Sequence, residues 1–341
     1  MTDREKELDK LFEDTSKGKT PLQQTIKRAK RKTIIRNIFI SVFVALFVFV
    51  ALGFTWLYIM HENQENALRD IQLFSEITSP NVNEAGVQNM GNGIFEGILF
   101  INRYKEIGGI PVSWSDNVQT YSLFGGVSRL AGDHSPIHVE DPVDGQIRYY
   151  DRETKQRMLE FYHPDVEYQT IRNDLLQLDE RMQDKTIEMA ISFDKKYKPE
   201  EVRALLKDVT LKWYWADTYT DLERLKEVNT QSEEEEEEIS IPASPELANQ
   251  IYGFDEINGG SINSEEAFIE AIKNGIKEKN GKYYGEFERI YHHLKGDSEE
   301  LHAENVNVLG AVITGTREQL EPLLNQKMVR ASVFGVMVES Q

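Results

Sequence analysis

The chain has 341 residues, 40% of them apolar and 28% charged, with a formal net charge of −19 and no cysteine. That length accommodates one or two packed domains. The lack of cysteine excludes disulfide staples and thiolate zinc sites, so an exported part of this protein must be held together by its core.

Residues 1 to 14 hold six acids and three bases, with Leu8, Leu11 and Phe12 spaced to share one face of a short helix. Residues 1 to 37 are too few to bury a core alone. They predict a tail that folds against a partner or stays unstructured.

From Ile38 to Met60 there are 23 residues without a charge, fifteen of them Ile, Leu, Val or Phe. As a helix this run covers roughly 34 Å, slightly more than a hydrocarbon core of about 30 Å. The fifteen side chains contribute on the order of −4 to −9 kcal/mol to insertion before the polar minority is subtracted. The segment therefore predicts a single transmembrane helix, with Trp56 and Tyr58 as an interfacial anchor at its far end. Lys27, Arg28, Lys30, Arg31, Lys32 and Arg36 precede it, while Glu62, Glu65 and Asp70 follow it. The positive flank places the N-terminus in the cytoplasm and the large C-terminal part outside. Leu57 to Glu62 offers no small-x-small cleavage site, so the helix is read as a retained anchor rather than a signal peptide.

The span also divides the charge. Residues 1 to 37 carry eleven basic and six acidic groups, a balance of +5, which leaves −24 for residues 61 to 341. An outer part that acidic is not expected to bind nucleic acid or anionic lipid headgroups strongly. The basic flank itself gains about 1 kcal/mol per residue beside anionic lipid.

Residues 61 to 164 read as a β-rich membrane-proximal region, punctuated by Gly91, Gly93, Gly97, Gly108, Gly109, Gly125 and Gly126. Gly91-x-Gly93 is not a phosphate loop, because the next glycine stands at 97 rather than 96 and no strand precedes it. Residues 165 to 341 read as an α+β domain. It opens with Tyr168, Ile171, Leu175, Leu178 and Met182, whose spacing predicts a helix over Asp165 to Lys185.

Two strand-helix-strand units follow. In the first, Thr186 to Phe193 alternates as a strand, Lys198-Pro199-Glu200-Glu201 opens a helix through Leu206, and Val209 to Ala216 is the second strand. In the second, Val306 to Thr314, Arg317 to Asn325 and Val329 to Val338 repeat that order. The expected fold is an α+β ectodomain on one transmembrane helix, its two βαβ units sharing a ferredoxin-like sheet. An acidic loop near residues 229 to 245, with six glutamates from Glu233 to Glu238, separates the units because like charges in a block repel and stay solvated. Ser264 to Lys277 predicts an amphipathic helix without a full capping box at Ser264.

No chemistry emerges from the residues. Pro136 lies between His134 and His138, His292 and His293 are adjacent and point different ways, and no nucleophile elbow is present. Neither a metal site, a cofactor nor an enzyme is expected.

Lys27-Arg28-Ala29-Lys30-Arg31-Lys32-Thr33-Ile34-Ile35-Arg36-Asn37-Ile38, running into the span, resembles the N-terminal region of Gram-positive sigma factor regulators. Gly109-Ile110-Pro111-Val112-Ser113-Trp114 is compatible with the same N-terminal module. Leu211 to Tyr219 (LKWYWADTY) and Val308 to Gly315 (VLGAVITG) are similar to that family's C-terminal module. The resemblance implies an anti-sigma factor, whose tail sequesters an extracytoplasmic-function sigma factor while the outer part responds to the envelope. It implies no direct nucleic-acid contact and leaves room for a second small membrane protein as partner. Zinc-type anti-sigma factors use a larger cytoplasmic domain with a His and Cys pair, which this chain lacks. On this reading Leu8, Leu11 and Phe12 are the sigma-binding residues, docking as a helix in a groove. The alternative is an envelope binding protein whose N-terminal segment is only an anchor.

Overall fold

A computed structural model describes residues 21–132, 135–142, 144–226, 228–231, 238–257 and 263–340. The chain divides into two compact units, Met1–Ile59 and Met60–Gln341.

In the first unit every described residue belongs to helix α1, Pro21–Ser75, which continues into the second unit. From Ile38 to Ile59 this helix is apolar on all sides and buries almost nothing in protein, with Phe39, Phe43, Phe47 and Phe49 all exposed. A helix that is apolar all round needs an apolar surrounding, which a bilayer would supply. It is one candidate membrane span.

The second unit begins with the last turns of α1. A four-stranded antiparallel sheet follows, ordered β1 (Asn83–Asn92), β2 (Glu96–Ile107), β3 (Ile110–Ser122), β4 (Val127–Ala131). In β2, Leu99, Ile101, Arg103, Lys105 and Ile107 face inward at period two. The hairpin β5 (Ile137–Glu140) and β6 (Ile147–Tyr150) comes next, then the two-residue β7 (Glu160–Phe161).

The main sheet contains β8 (Lys185–Tyr197), β9 (Thr210–Ala216), β13 (Gly253–Asp255), β14 (Val308–Thr316) and β15 (Val329–Glu339) in the order β13-β9-β14-β8-β15, every neighbour antiparallel. β8 and β9 are joined by α2 (Pro199–Leu205), and β14 and β15 by the short α5 (Arg317–Leu320) with the 3-10 turn Glu321–Asn325. The strands within each unit run parallel, with one strand of the other unit between them. Neither unit could form this sheet alone.

One face of the sheet carries Ile187, Met189, Ile191 and Phe193, covered by Val202 of α2, Phe268 and Ile272 of α3 (Ser264–Gly275), and Phe287 and Ile290 of α4 (Tyr284–Lys295). The opposite face carries Ala190, Trp213, Trp215, Val312 and Val333, covered by Leu159, Phe161, Ala248 and Ile251. Burial on both faces explains why β14 reads as an unbroken apolar run rather than an alternating one. The covering chain on the second face includes β7, paired with β12 (Glu246–Leu247).

Three sequence expectations are corrected. Asp165 to Lys185 is not a helix but extended chain with two 3-10 turns, Asp174–Gln177 and Glu180–Met182. Its backbone is taken by β15: Ser332 N–H donates to the Arg172 carbonyl, and Leu175 N–H donates to Ser332 Oγ. Asp174, fully buried, accepts from Arg157 at 2.7 Å and from the Phe334 N–H at 2.9 Å. These tertiary bonds outweigh a local helical stripe worth a few tenths of a kcal/mol per pair. The flanks of the acidic run are not loop either, since β10 (Val228–Gln231) pairs with β11 (Glu238–Ile241); residues 232–237 lie outside the described residues. Helix α3 does have a capping box, formed not at Ser264 but at Asn263, whose Oδ1 accepts the Glu266 N–H at 2.8 Å.

Candidate functional site at the C-terminal end of the long helix

Beyond the apolar run, α1 buries Met60, Ala67, Asp70 and Ile71, and half-buries Phe74. Residues 60, 67, 71 and 74 fall on one helical stripe. Two structures grip it. On one side, Asn63 Nδ2 donates to the carbonyls of Ser122 and Leu123, both at 2.9 Å, while Gln64 Oε1 accepts from Asn89 Nδ2 at 2.7 Å and from the Tyr121 hydroxyl at 3.2 Å. On the other, Arg69 pairs with Glu278 at 3.0 Å and Asp70 accepts the Lys282 N–H at 2.8 Å. Phe74 stacks on Tyr283 with ring centroids 3.8 Å apart and meets Phe287 edge-on.

Burial pushes the Asp70 carboxyl up, and the N–H groups of Lys282 and Tyr283 partly offset this. Gly281 is required for that approach: a Cβ there would lie 2.4 Å from Asp70 Oδ1. Residues 60 to 75 of α1 are thereby built into the second unit.

Behind this clamp the two sheets are joined by a buried ion pair. Lys105 Nζ on β2 lies 2.9 Å from both carboxylate oxygens of Glu188 on β8. Asn81 Nδ2 donates to Glu188 Oε1 at 2.7 Å, the Val336 N–H donates to Oε2 at 3.1 Å, and the ammonium sits 4.2 Å from the Trp114 ring centre. Asn81 belongs to the link between α1 and β1, so the pair ties the helix exit, the first sheet and the main sheet together.

A second buried charge group locks the segment before β8. Arg172 donates to Glu160 Oε1 at 2.7 Å and to the Ile147 carbonyl at 2.7 Å, and Arg148 meets Asp141 and Asp144 at 3.1 and 2.6 Å. Burial pushes the Glu160 carboxyl up to about 7, with Arg172 offsetting only part of the cost. A carboxyl whose folded pKa exceeds its unfolded value near 4.3 binds its proton more tightly in the fold. Its contribution therefore favours the fold below about pH 4.5 and is lost as pH rises towards 7. Glu160→Gln is expected to flatten the pH dependence of unfolding in that window, by on the order of 2 to 3 kcal/mol, in urea titrations of the unit Met60–Gln341 at pH 5 and pH 8. An unchanged slope would show that Glu160 does not titrate there.

The sequence-predicted site residues fall as follows. Leu8, Leu11 and Phe12 lie outside the described residues. Lys27, Arg28, Lys30, Arg31, Lys32 and Arg36 are exposed on α1, Trp56 is half-buried and Tyr58 exposed. His138 lies edge-on to Tyr149, His134 is outside the described residues, and His293 on α4 stands 4.0 Å from Asp217. Among the described residues no group of three or more His, Asp or Glu could hold a metal ion. The clamp residues and the Lys105–Glu188 pair were not legible as functional. The stripe Met60, Ala67, Ile71, Phe74 was the available signal for the first.

The chain matches two family models, described as sigma factor regulator N-terminal over residues 23–112 and sigma factor regulator C-terminal over residues 178–336. No curated protein and no solved structure matches it. The first matched segment contains most of α1 with β1 and β2, and the second contains nearly all of the main sheet. Lys105 and Glu188 join one to the other.

Proposed function

Because the chain belongs to the sigma factor regulator family, its role is to control a sigma factor, and we propose that it does so as a membrane-anchored anti-sigma factor. In this reading residues 1–37 sequester an extracytoplasmic-function sigma factor at the cytoplasmic face. The unit from Met60 onward lies outside and responds to the state of the envelope. The basic juxtamembrane run supports a likeness to the anti-sigma-M factors. The chain works by binding and not by catalysis, and its interleaved βαβ units form a ferredoxin-like module. The observation that carries the reading is α1, which runs from an exposed basic stretch through an uncharged apolar length into the clamp. In this reading α1 is the link between the outer unit and the tail.

Docking Leu8, Leu11 and Phe12 in a groove contributes roughly 5 to 8 kcal/mol, less ordering costs of about 2 to 5 kcal/mol. Leu11→Ala with Phe12→Ala is expected to weaken co-purification of the sigma factor from detergent-solubilised membranes roughly a hundredfold. Unchanged capture would remove these residues from the site. Deleting residues 2 to 26 while keeping the basic flank distinguishes regulator from anchor: a regulator then releases its sigma-dependent transcription, whereas an anchor-only binding protein shows no transcriptional change.

A further inference from the structure

The tips of the first sheet are apolar, uncharged and exposed. Met90, Ile94 and Phe95 at the β1–β2 turn are 62%, 72% and 60% exposed, and Phe124 at the β3–β4 turn is 87% exposed. The two turns form one surface, because Glu96 pairs with Ser122 and the Leu123 N–H donates to the Phe95 carbonyl at 2.7 Å. Residues 85 to 95 and 117 to 128 contain no charged side chain, in an outer region that otherwise carries −24. Such a patch is costly in water unless something covers it.

Chain connectivity says what covers it. Asn63, which holds the Ser122 and Leu123 carbonyls, is only three residues past Met60. Three residues of helix rise about 4.5 Å, which is less than the headgroup zone of roughly 5 to 7 Å on each side of the hydrocarbon. β1 starts beyond the far end of α1 and by Asn89 has come back to Gln64. It is therefore heading for the membrane exit, and Ile94 and Phe95 lie further along the same course. Beside the β3–β4 turn a cleft is lined by Arg69, Lys277, Lys279 and Lys282 against Asp70 and Glu278, a local balance suited to headgroup phosphates in a domain that is acidic elsewhere.

We propose that Ile94, Phe95 and Phe124 insert into the interfacial layer of the outer leaflet around the exit of α1, so that the outer unit grips the bilayer as well as its own helix. The proposal rests on α1 spanning the membrane. It makes the lipid surface a second ligand of the clamp, since any change in packing at the tips bears on Asn63 through the same two hydrogen bonds.

The lack of cysteine allows single-site labelling of the full chain. An environment-sensitive fluorophore is placed by Phe124→Cys, Phe95→Cys, Phe47→Cys within the span, or Leu176→Cys, a residue 72% exposed on the main domain. Each variant is reconstituted alone into phosphatidylcholine–phosphatidylglycerol vesicles. Probes at 95 and 124 are expected to be quenched by a lipid carrying a nitroxide near the headgroup, and to resist aqueous iodide roughly threefold better than the probe at 176. Iodide quenching at 95 and 124 equal to that at 176, with 47 still shielded, overturns the proposal and leaves the span intact. Shielding from both quenchers also overturns it, in favour of contact with a second copy of the chain. Iodide access at 47 overturns the span and the proposal together.

Discussion

Replacing Lys105 with Met while keeping Glu188 is expected to destabilise the unit Met60–Gln341 by about 3 to 5 kcal/mol, because it leaves a carboxylate with no exposure and no cation. The remaining donors, from Asn81 and the Val336 backbone, supply two hydrogen bonds but no charge. Lys105→Met combined with Glu188→Leu removes the charge itself and is expected to recover only part of the loss. Buried ion pairs replaced together by apolar groups of like volume are often neutral. The recovery has a stated limit: Asn81 Nδ2 and the Val336 N–H lose their acceptor, at about 1 to 3 kcal/mol each where water cannot reach them. Urea midpoints of the single and double variants decide the matter. A Lys105→Met variant within 1 kcal/mol of the parent would mean the pair is solvated in solution, contrary to its burial, on the scale of an exposed ion pair.

The elements that the sequence makes legible are those whose pattern reflects a local period. β8, β9, β14 and β15 stand within a few residues of where alternation and apolar runs place them, and the Pro199 start of α2 is marked by proline at the first helical position. The candidate span is legible because 23 uncharged residues in one run have the length and composition that crossing a bilayer requires. The failures share a cause. Residues 165 to 185 carry a helical stripe, yet buried Asp174 and Arg172 need partners on β15 and β6, and a helix would turn them away from those partners. β7 and β12 have two residues each, too few to show any period. α4 carries Phe287, Ile290 and Leu294 at helical spacing, but only three apolar positions mark its buried face among polar and charged neighbours. The clamp is legible only in part. The stripe at 60, 67, 71 and 74 marks a continuing helix, but Asn63 and Gln64 act through turns sixty residues away. No local pattern encodes a bond at that separation.

The grip on Phe74 carries the second large expectation. Phe→Ala in a full core costs about 3 to 5 kcal/mol, and a half-buried ring that stacks on Tyr283 and meets Phe287 should lose roughly 2 to 3 kcal/mol. In Phe74→Ala that loss falls on one end of the clamp, because the Asn63 and Gln64 contacts lie three helical turns away. Amide hydrogen exchange over residues 66 to 75 is expected to accelerate roughly thirty- to a hundredfold, while β8 and β14 keep their protection. Gly281→Val tests the same joint from the other side, since its side chain would occupy the space of the Asp70 carboxylate. Similar exchange in both variants would assign the effect to the joint and not to the lost ring. For the proposed anti-sigma function the two ends of α1 then separate. Sigma capture by residues 1–37 should be unchanged, because the tail and its basic flank are intact, whereas induction by envelope stress should fall. The reason is that a helix loose at its outer end rotates or tilts without turning the tail. Loss of capture and of induction together in Phe74→Ala, with exchange confined to the outer end, would sink the division of labour between an outer sensor and an inner tether.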